Sequence, residues 1–491
     1  MAGFEYRLDM YEFLNANRDN ILAEVGKVSA DIGVPDDMKG RIGMSGANSS
    51  YPGVLRREIL DAIEDASTNM RPVQYYGDQI RRVVKSVYGD DYDAVPTSTC
   101  EGALLATYES LVSPPTLGRG EAYRVRMISP FERHIEHHLS YGRPFPPRYK
   151  DIFADRGATA GELGITGRRL ENVDIVIVPL EGARYDVHGI KAYACPLLLD
   201  VDAEASAKKL RRAAEVHSEF LGAVVSLAYD TPGYGYEVKN ADGVPALQRS
   251  LADIAADFGV PYVADNAIGI PFIGADPRKT GADVMVYSMD KVAWAPTSGL
   301  AIGREDSIVQ IRRAMGVHSQ RYGTTAVHGK GMAVALDPGR EAMSGQLAAL
   351  RILRDEPERV TRPVDETYEI IVDEYQRVKN ALGEGIQINK SFNFGGVEMN
   401  YQNTWGEGVL GIPIFSQEDR LAGTNLIDLV MAKAGIVPSG ADDANMFINP
   451  GLGTVDASGA LIEERMRLVV RGVFSALALL AEWADKGPNK H

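Results

Sequence analysis

The spacing of apolar residues divides the chain into a helical beginning and a longer part where apolar runs alternate with amphipathic helices. Before Gly89, apolar side chains recur at three- and four-residue intervals in three segments, which predicts three amphipathic helices. Short apolar runs, typical of buried strands, follow. They are YRVRMIS, VDIVIVPL, GAVVSLAY, VPYVADNA, ADVMVYSM and GLAIG.

Helical patterns lie between several of these strand candidates, as in EGALLATYESLV and ALQRSLADIAADFG. Strands that alternate with helices predict an α/β fold, a mostly parallel sheet with helices on both faces, because parallel neighbours need a crossover connection. We expect a helical segment over residues 1–74, a large domain with this sheet over 75–325, and a smaller α+β domain over 326–491.

Two regions depart from the alternation. Residues 143–170 are rich in proline, glycine and arginine, which predicts a long loop or insertion that serves as a lid, a subunit contact or a plain surface excursion. After about Ala335, a long helical pattern leads into strand-like segments. A last apolar stretch is broken by Arg471, is too short to span a bilayer, and predicts a packed helix.

Composition and charge narrow the function classes. The 491 residues are 45% hydrophobic and 24% charged, as in ordinary globular proteins. A net charge of −15 repels phosphate backbones, so we expect no nucleic-acid partner. The two cysteines, Cys100 and Cys195, provide no disulfide framework, and the charged N-terminus lacks the apolar core of a signal peptide. We therefore expect a cytoplasmic protein with no membrane partner.

A lysine at the end of a predicted buried strand is the main chemical signal. Lys291 ends the segment YSMDK, and a buried amine is costly unless its charge is paired or removed, for example by bonding to an aldehyde. Asp265 ends a strand 26 residues earlier, and open α/β sheets bind ligands at such strand ends. Pyridoxal 5'-phosphate requires this pair: a lysine for the Schiff base, and a carboxylate that keeps the pyridine nitrogen protonated.

The cofactor's phosphate would need a cradle, which the segment TSTCEG predicts. Small polar residues that open a helix direct backbone N–H groups and the positive end of the helix dipole at a dianion. We expect contacts from Ser98, from the Thr99 backbone and hydroxyl, and from the Cys100 backbone. Ser288, three residues before Lys291, adds a hydroxyl. The alternative is an ordinary helix cap at Ser98 or Thr99.

The motifs TSTCEGA, VADNA and SMDK, the last followed by SGLAIGRED, together resemble the fold-type I pyridoxal-phosphate enzymes, the aspartate aminotransferase superfamily. The Lys291 segment is similar to that of bacterial selenocysteine synthase and its ammonia-lyase relatives, a class V-like branch. The resemblance implies an amino-acid substrate and a homodimer or larger homo-oligomer with shared active sites. It also implies that Thr324, in RYGTT, reaches the neighbouring subunit's phosphate.

The same resemblance assigns further residues. His134 covers the cofactor ring, with Arg133 as the competing choice, and Asp230 lies near the ring's phenolic oxygen, where aminotransferases usually have asparagine. Arg467, in RMRLVV, binds the substrate carboxylate with its planar fork. Ile268 stands where many members have histidine.

The cofactor limits the reaction to carbanion formation beside an amino group, with the released Lys291 as general base. Three reactions remain: β-elimination or replacement, which we favour; transamination; and aldol cleavage or decarboxylation. A cysteine desulfurase would need a cysteine in the later domain, and both cysteines precede residue 196. A cofactor-sensing regulator would need a DNA-binding module that the acidic N-terminal helices do not resemble.

Overall fold

A computed structural model gives the fold and describes residues 13–14, 16–47, 49, 51–69, 71–112, 126–131, 143–145, 176–178, 191–196, 203–230, 236, 238–315, 336–400, 424–438 and 445–488. The helices are α1 (Arg18–Asp31), α2 (Arg57–Thr68), α3 (Val73–Tyr88), α4 (Cys100–Leu111), α5 (Ala203–Val216), α6 (Ala246–Phe258), α7 (Pro277–Thr280), α8 (Glu305–Ala314), α9 (Arg340–Asp355), α10 (Glu358–Leu382), α11 (Thr424–Ala434) and α12 (Glu463–Ala484). The strands are β1 (Ile42–Gly43), β2 (Tyr92–Thr97), β3 (Arg126–Phe131), β4 (Arg143–Phe145), β5 (Val176–Val178), β6 (Lys191–Pro196), β7 (Leu221–Leu227), β8 (Tyr262–Asp265), β9 (Val284–Ser288), β10 (Gly299–Arg304), β11 (Gln387–Ser391), β12 (Gly396–Asn400), β13 (Ile436–Val437) and β14 (Asn445–Ile448).

The central sheet has seven strands in the order β2-β10-β9-β8-β7-β3-β6. Neighbouring strands are parallel along the series β6, β3, β7, β8 and β9. Strand β10 runs antiparallel to both of its neighbours, β9 and β2. Helices α5 and α6 pack against β3 and β7, while α4 and α8 pack against β10 and β2. Strands buried on both faces are continuous apolar runs, as in VMVYS of β9. The predicted α/β fold with a mostly parallel sheet is confirmed.

The small domain combines an antiparallel sheet, β11-β12-β14, with α10, α11 and α12. The long helical pattern after Ala335 forms two helices, α9 and α10. The break comes at Glu356, whose φ of −136° and ψ of 54° leave the helical region because Pro357 follows it. The segment RMRLVV lies in α12, the helix predicted for the last apolar stretch, where apolar residues recur at helical spacing.

The described apolar side chains form two clusters, one around the central sheet and one in the small domain. The first includes Ile59 of α2 as well as residues of α9, and the second includes Leu14, Ile21 and Ile42. Within the described residues, the predicted helical segment 1–74 therefore shares both cores and has no core of its own. The predicted boundary at 75 falls inside α3, and that at 325 lies outside the described residues.

Two sequence expectations concern long or apolar segments. Most of the proposed insertion at 143–170 lies outside the described residues, and its first residues form β4, which pairs with β5. In the part of the chain that the structure describes, no helix is both long and apolar enough to cross a membrane.

Candidate active site

Two neighbouring parallel strands bring the main candidate residues to one edge of the sheet. Asp265 is the last residue of β8, and Ser288 is the last residue of β9, with Asp265 in register with Val286. Lys291 follows three residues after Ser288. Asp265 and Ser288 are buried, with 2% and 3% of their surfaces exposed, whereas Lys291 is half-buried. The strand ends of an open α/β sheet thus hold both residues where ligands bind.

The Asp265 side chain has a fixed orientation. Its Oδ1 accepts a hydrogen bond of 2.9 Å from the Ala267 backbone N–H, and its carbonyl oxygen accepts one of 2.8 Å from Ala228. At Lys291, the carbonyl oxygen accepts a hydrogen bond of 3.1 Å from the Trp294 N–H. Within the described residues the Lys291 amine has no ion-pair partner.

Helix α4 begins at the same edge. Thr99 is its N-cap, in an extended conformation, and Thr99 Oγ1 accepts a hydrogen bond of 2.9 Å from the Gly102 N–H. The Thr99 hydroxyl is therefore used as a helix cap, the alternative considered from the sequence. Because first-turn amides have no intrahelical partner, those of Cys100 and Glu101 point out of the helix start.

Gly102 keeps the start of α4 open. A Cβ at this position would lie 3.2 Å from Thr99 Oγ1 and 3.4 Å from Ser98 Oγ, which is closer than most Cβ contacts. Because Gly102 has no side chain, the Thr99 and Ser98 hydroxyls can lie close to the first turn of α4. Helix starts of this kind favour anions.

Cys100 links the helix start to the two strand ends. Its thiol is buried, and burial raises its pKa well above the usual value. The Asp265 carboxylate raises that pKa further and the Lys291 ammonium opposes the rise, so both charges act on the thiol. The thiol stays protonated at neutral pH. Strand β10 gives the spatial link, because Gly299 pairs with Ser288 of β9 and a Cβ on Gly299 would lie 2.1 Å from the Thr99 carbonyl oxygen. The start of α4 therefore lies next to the strand ends.

The segment before α2 and the residue before Lys291 were missed by the sequence interpretation. Ser288 Oγ donates a hydrogen bond of 2.6 Å to the buried Asp290 Oδ1, so the hydroxyl expected to face the phosphate already has a protein partner. The Asp290 carbonyl accepts a hydrogen bond of 2.7 Å from Gly53. A Cβ on Gly53 would lie 2.1 Å from the Lys291 carbonyl oxygen. Only glycine permits this contact, a requirement that YPG in the sequence could have suggested.

Backbone strain is present in the loops after both catalytic candidates. Among the described non-glycine residues, only Phe272 and Trp294 have positive φ, at 72° and 57°. Phe272 lies in the loop after β8, and Trp294 follows Lys291 by three residues. The Arg56 guanidinium lies 3.6 Å from the centre of the Trp294 ring and helps hold it. Burial, together with the Arg359 charge, lowers the pKa of Arg56 to about 10, which leaves Arg56 charged at neutral pH. Such strain is concentrated at functional sites.

Asp230 lies beyond the end of β7 and contacts the small domain. Its Oδ1 accepts a hydrogen bond of 3.1 Å from Ser391 Oγ, and its Oδ2 is 3.9 Å from Lys239 Nζ. Burial raises the pKa of Asp230, against the opposing effects of Lys239 and Ser391. Its expected place beside the phenolic oxygen stays a prediction.

Arg467 lies on α12, and its guanidinium contacts three carboxylates of the small domain. Nη1 binds Asp373 and also Glu374 at 3.0 Å, and Nε binds Glu463 at 2.9 Å. The described structure does not bring Arg467 into contact with the strand ends that carry Asp265 and Lys291. Substrate binding by Arg467 stays a prediction, and it would require these ion pairs to open.

Three further predicted residues, His134, Arg133 and Thr324, lie outside the described residues. The assignment of a ring-covering side chain and of a residue that reaches a neighbouring subunit therefore rests on the sequence alone.

A pair of buried asparagines was also missed. Asn266, directly after Asp265, and Asn393, in the turn between β11 and β12, exchange two hydrogen bonds of 3.0 and 2.9 Å. The sequence signal for Asn266 is an amide at the end of a buried strand. Asn393 lies in SFNFGG, which has the composition of an ordinary hairpin turn.

Known proteins resemble this chain in structure. No protein-family model and no curated protein sequence matches it. The solved SepCysS–SepCysE N-terminal domain complex aligns over 90% of this chain and 96% of that chain, with a TM-score of 0.52 and 11% identity. S-selective transaminases from Bacillus megaterium and Arthrobacter sp. each align over 88% of this chain, and over 86% and 87% of their own, with TM-scores of 0.52 and 13% identity. These likenesses show a shared fold, the one expected from the sequence resemblance.

Proposed function

We propose that this chain is a pyridoxal-phosphate-dependent enzyme that catalyses β-elimination or β-replacement on an amino acid or amine. The observation that carries the proposal is the placement of Lys291, Asp265 and the start of α4 at one edge of the sheet. The paired strands β8 and β9 end at Asp265 and Ser288, and Gly299, which pairs with Ser288, approaches the Thr99 carbonyl at the start of α4. This set matches the chemistry of the cofactor group by group, which no single residue does.

The residues present fit the cofactor. The first-turn amides of α4 and the Ser98 hydroxyl, which would lie 3.4 Å from a Cβ on Gly102, suit the phosphate dianion. Asp265 can hold a proton on the pyridine nitrogen, because its carboxylate is buried and oriented by Ala267. Lys291 provides the amine for the aldehyde. When bound, the cofactor withdraws electrons from the carbon beside the substrate's amino group.

Residues of the chain would transfer the proton of the substrate's α-carbon. The Lys291 amine, when it is not bonded to the cofactor, would remove the proton from the substrate's α-carbon and return one later. The Lys291 backbone is held by the hydrogen bond from Trp294 and by the close approach of Gly53. Ser288, whose hydroxyl donates a hydrogen bond to Asp290, orients this residue directly before the lysine.

Two features favour a lyase or replacement reaction over transamination. Asp230 is a carboxylate where aminotransferases usually have asparagine, and the Lys291 segment resembles that of the selenocysteine synthase branch. Transamination is the second candidate, because S-selective transaminases share the fold. Aldol cleavage or decarboxylation is the third. The proposal includes a cytoplasmic homo-oligomer in which Thr324 completes a neighbouring site and Arg467 remains a candidate for the substrate carboxylate.

Cofactor attachment tests the proposal directly. Purified protein supplied with pyridoxal phosphate should absorb visible light, and borohydride should fix the cofactor to Lys291, as located by peptide mass spectrometry. Lys291→Ala should lose the attachment. Lys85→Ala is the matched control, because Lys85 is bound to Glu305 and the Asp90 carbonyl. Attachment to a different lysine, or no attachment, would refute the proposal.

The reaction type requires a second experiment. A β-lyase releases ammonia or a β-leaving group through many turnovers without a keto acid. An aminotransferase consumes one equivalent of amino acid per site and stops until a keto acid is added. We expect the first behaviour in a screen of amino acids. A single-equivalent reaction that a keto acid restarts would establish transamination instead.

A further inference from the structure

A turn of the small domain enters the large domain beside the candidate active site. The turn connects β11 to β12, and its Phe394 is 1% exposed and belongs to the hydrophobic cluster of the central sheet. The Phe394 ring lies 4.7 Å from that of Tyr229 in an edge-to-face arrangement, just beyond the end of β7. The turn is therefore part of the large-domain core, although its strands belong to the small-domain sheet.

Asn393, at the centre of this turn, connects three parts of the large domain. Its Nδ2 donates to Asn266 Oδ1 at 2.9 Å and to the Ala228 carbonyl, beyond β7, at 3.1 Å. Its Oδ1 accepts from Asn266 Nδ2 at 3.0 Å and from the Ala275 N–H at 2.9 Å. Its own carbonyl accepts from the Ile270 N–H at 2.9 Å.

The close approach of Asn393 depends on a glycine. A Cβ on Gly274 would lie 2.1 Å from Asn393 Oδ1, so any larger residue at 274 would displace the amide. Asn266 and Asn393 are 0% and 2% exposed. Two buried amides that satisfy each other in this way hold one rotamer each, because any rotation would leave buried donors and acceptors unsatisfied.

The hydrogen bonds lead from Asn393 to the Asp265 carboxylate. Asn266, locked by Asn393, lies between Asp265 and Ala267, and its carbonyl accepts a hydrogen bond of 2.7 Å from Gly269. Ala267 in turn donates the N–H that orients Asp265 Oδ1. A change in the Asn266 rotamer would shift the next peptide and with it the donor on which the carboxylate depends.

We propose that Asn393 is a positioning residue for Asp265, which links the geometry of the cofactor-facing carboxylate to docking of the small domain. This inference rests on the proposed function, because Asp265 is assigned there to the pyridine nitrogen. Asn393 touches no reacting atom. It fixes the tight turn after β8 through Asn266, and the turn fixes the carboxylate.

The test compares Asn393→Ala with Gln248→Ala. Gln248 is a matched control, because it is a buried amide that donates a hydrogen bond of 2.9 Å to the Tyr229 carbonyl without contacting Asn266 or Asp265. The first measurement is hydrogen exchange of the apoprotein in the peptide 262–276. Asn393→Ala should speed exchange of the Ala267, Ile270 and Ala275 amides about tenfold or more, and Gln248→Ala should not.

The second measurement uses the enzyme with cofactor. Asn393→Ala should lower kcat about tenfold, with little change in KM, and should shift the pH dependence of the visible absorption band, because Asp265 is no longer held against the ring nitrogen. Where Asn393→Ala does not fold, Asn393→Ser keeps a small polar group and serves as the second variant. Equal effects of the Asn393 and Gln248 changes on both measurements would overturn the proposal.

The two proposals fail in different ways. If the wild-type protein binds no pyridoxal phosphate, the proposed function is wrong, while faster exchange in Asn393→Ala would still show that Asn393 orders the turn after β8. If the wild type binds the cofactor, and Asn393→Ala exchanges faster but keeps the wild-type kcat and spectral titration, Asn393 does not position Asp265 and this inference alone is wrong.

Discussion

Asp93 and Asp265 are both buried on strands of the central sheet, but their surroundings differ. Asp93 lies near the start of β2 and is fully buried, where Arg81 Nε donates to it at 2.9 Å and Arg312 also binds it. Asp265 lies at the end of β8, accepts a backbone hydrogen bond from Ala267, and acts on the Cys100 thiol together with Lys291.

The difference shows how one sheet uses buried charge in two ways. At the amino end, arginines neutralise Asp93 within the fold, and such a cluster contributes to stability when intact. At the carboxyl end, Asp265, Lys291 and the start of α4 lie at one edge of the sheet, where open α/β sheets bind ligands. Burial alone therefore does not single out a candidate functional carboxylate; the end of the sheet on which it lies and its neighbours are the further criteria.

The largest expected effect is the loss of activity in Asp265→Ala. Under the proposed function, the loss of this carboxylate would remove the partner that keeps the pyridine nitrogen protonated, and turnover should fall about 10²–10³-fold, the range for the loss of one electrostatic stabiliser. Cofactor attachment to Lys291 should persist in part. Steady-state kinetics and the visible spectrum check both statements, with Asp93→Asn as the control for a change in a buried aspartate. Wild-type turnover in Asp265→Ala would end the assignment.

The next largest effect is expected for Asp93→Ala, which should lower stability rather than activity. Asp93→Ala leaves the charges of Arg81 and Arg312 without their shared partner, and breaking a buried ion pair in this way costs about 3–5 kcal/mol of unfolding free energy. Activity per folded molecule should remain near that of the wild type. Urea unfolding and active-site titration measure the two quantities. A large loss of activity per folded molecule in Asp93→Ala, together with the loss of stability, would contradict the distinction between the two ends of the sheet.

The carboxyl end was predictable from the sequence because its signals are local. A lysine directly after a buried strand, an aspartate at the end of the preceding strand, and a small polar helix start are visible without tertiary structure. Asn393 was not predictable, since its function depends on a contact with Asn266 made 127 residues away in the chain. Gly53 is similar, because only the folded chain shows the Lys291 carbonyl against it.

The fold was also predictable only where its signals are local in the sequence. Alternating apolar runs and helices indicated the parallel sheet, but the antiparallel direction of β10 and the sharing of the N-terminal residues between two cores depend on packing. The substrate-binding assignment of Arg467 stays a prediction, and the structure adds only its place in the fold. RMRLVV resembled a substrate-binding segment, whereas helical spacing over Glu463–Ala484 places it on the packed helix α12.

A loss of stability at acid pH should distinguish the ion pairs of Glu374 with Arg467 and Arg471, in the small domain, from the candidate active site. Burial by itself raises the pKa of Glu374, but the Arg471 and Arg467 hydrogen bonds outweigh it and hold the pKa below its usual value. A carboxyl with a lowered folded-state pKa stabilises above its unfolded pKa, about 4.3, and this contribution is lost as pH falls through the folded value.

Glu374→Gln should therefore reduce the acid dependence of Tm below pH about 5 relative to wild type, and lower Tm at neutral pH. Thermal unfolding between pH 3 and 7 (a range chosen to span roughly both pKa values) measures this difference. Glu384→Gln serves as the control, because Glu384 is an exposed carboxylate that pairs with Lys379 on the surface. Parallel pH profiles for wild type and Glu374→Gln would contradict the linkage.

The smallest effect is expected for Arg467→Met, which tests whether this arginine serves the fold or the substrate. Its ion pairs with Asp373, Glu374 and Glu463 are partly exposed, so their loss should lower the unfolding free energy by about 1 kcal/mol. Arg471 continues to pair with Glu374 at 3.0 Å and limits the cost. Because the guanidinium is already engaged by three carboxylates, KM should stay within about twofold of the wild-type value, since such a change is under about 0.5 kcal/mol. A KM increase of tenfold or more, with unchanged kcat, would instead place Arg467 on the substrate's carboxylate, as the sequence resemblance implied.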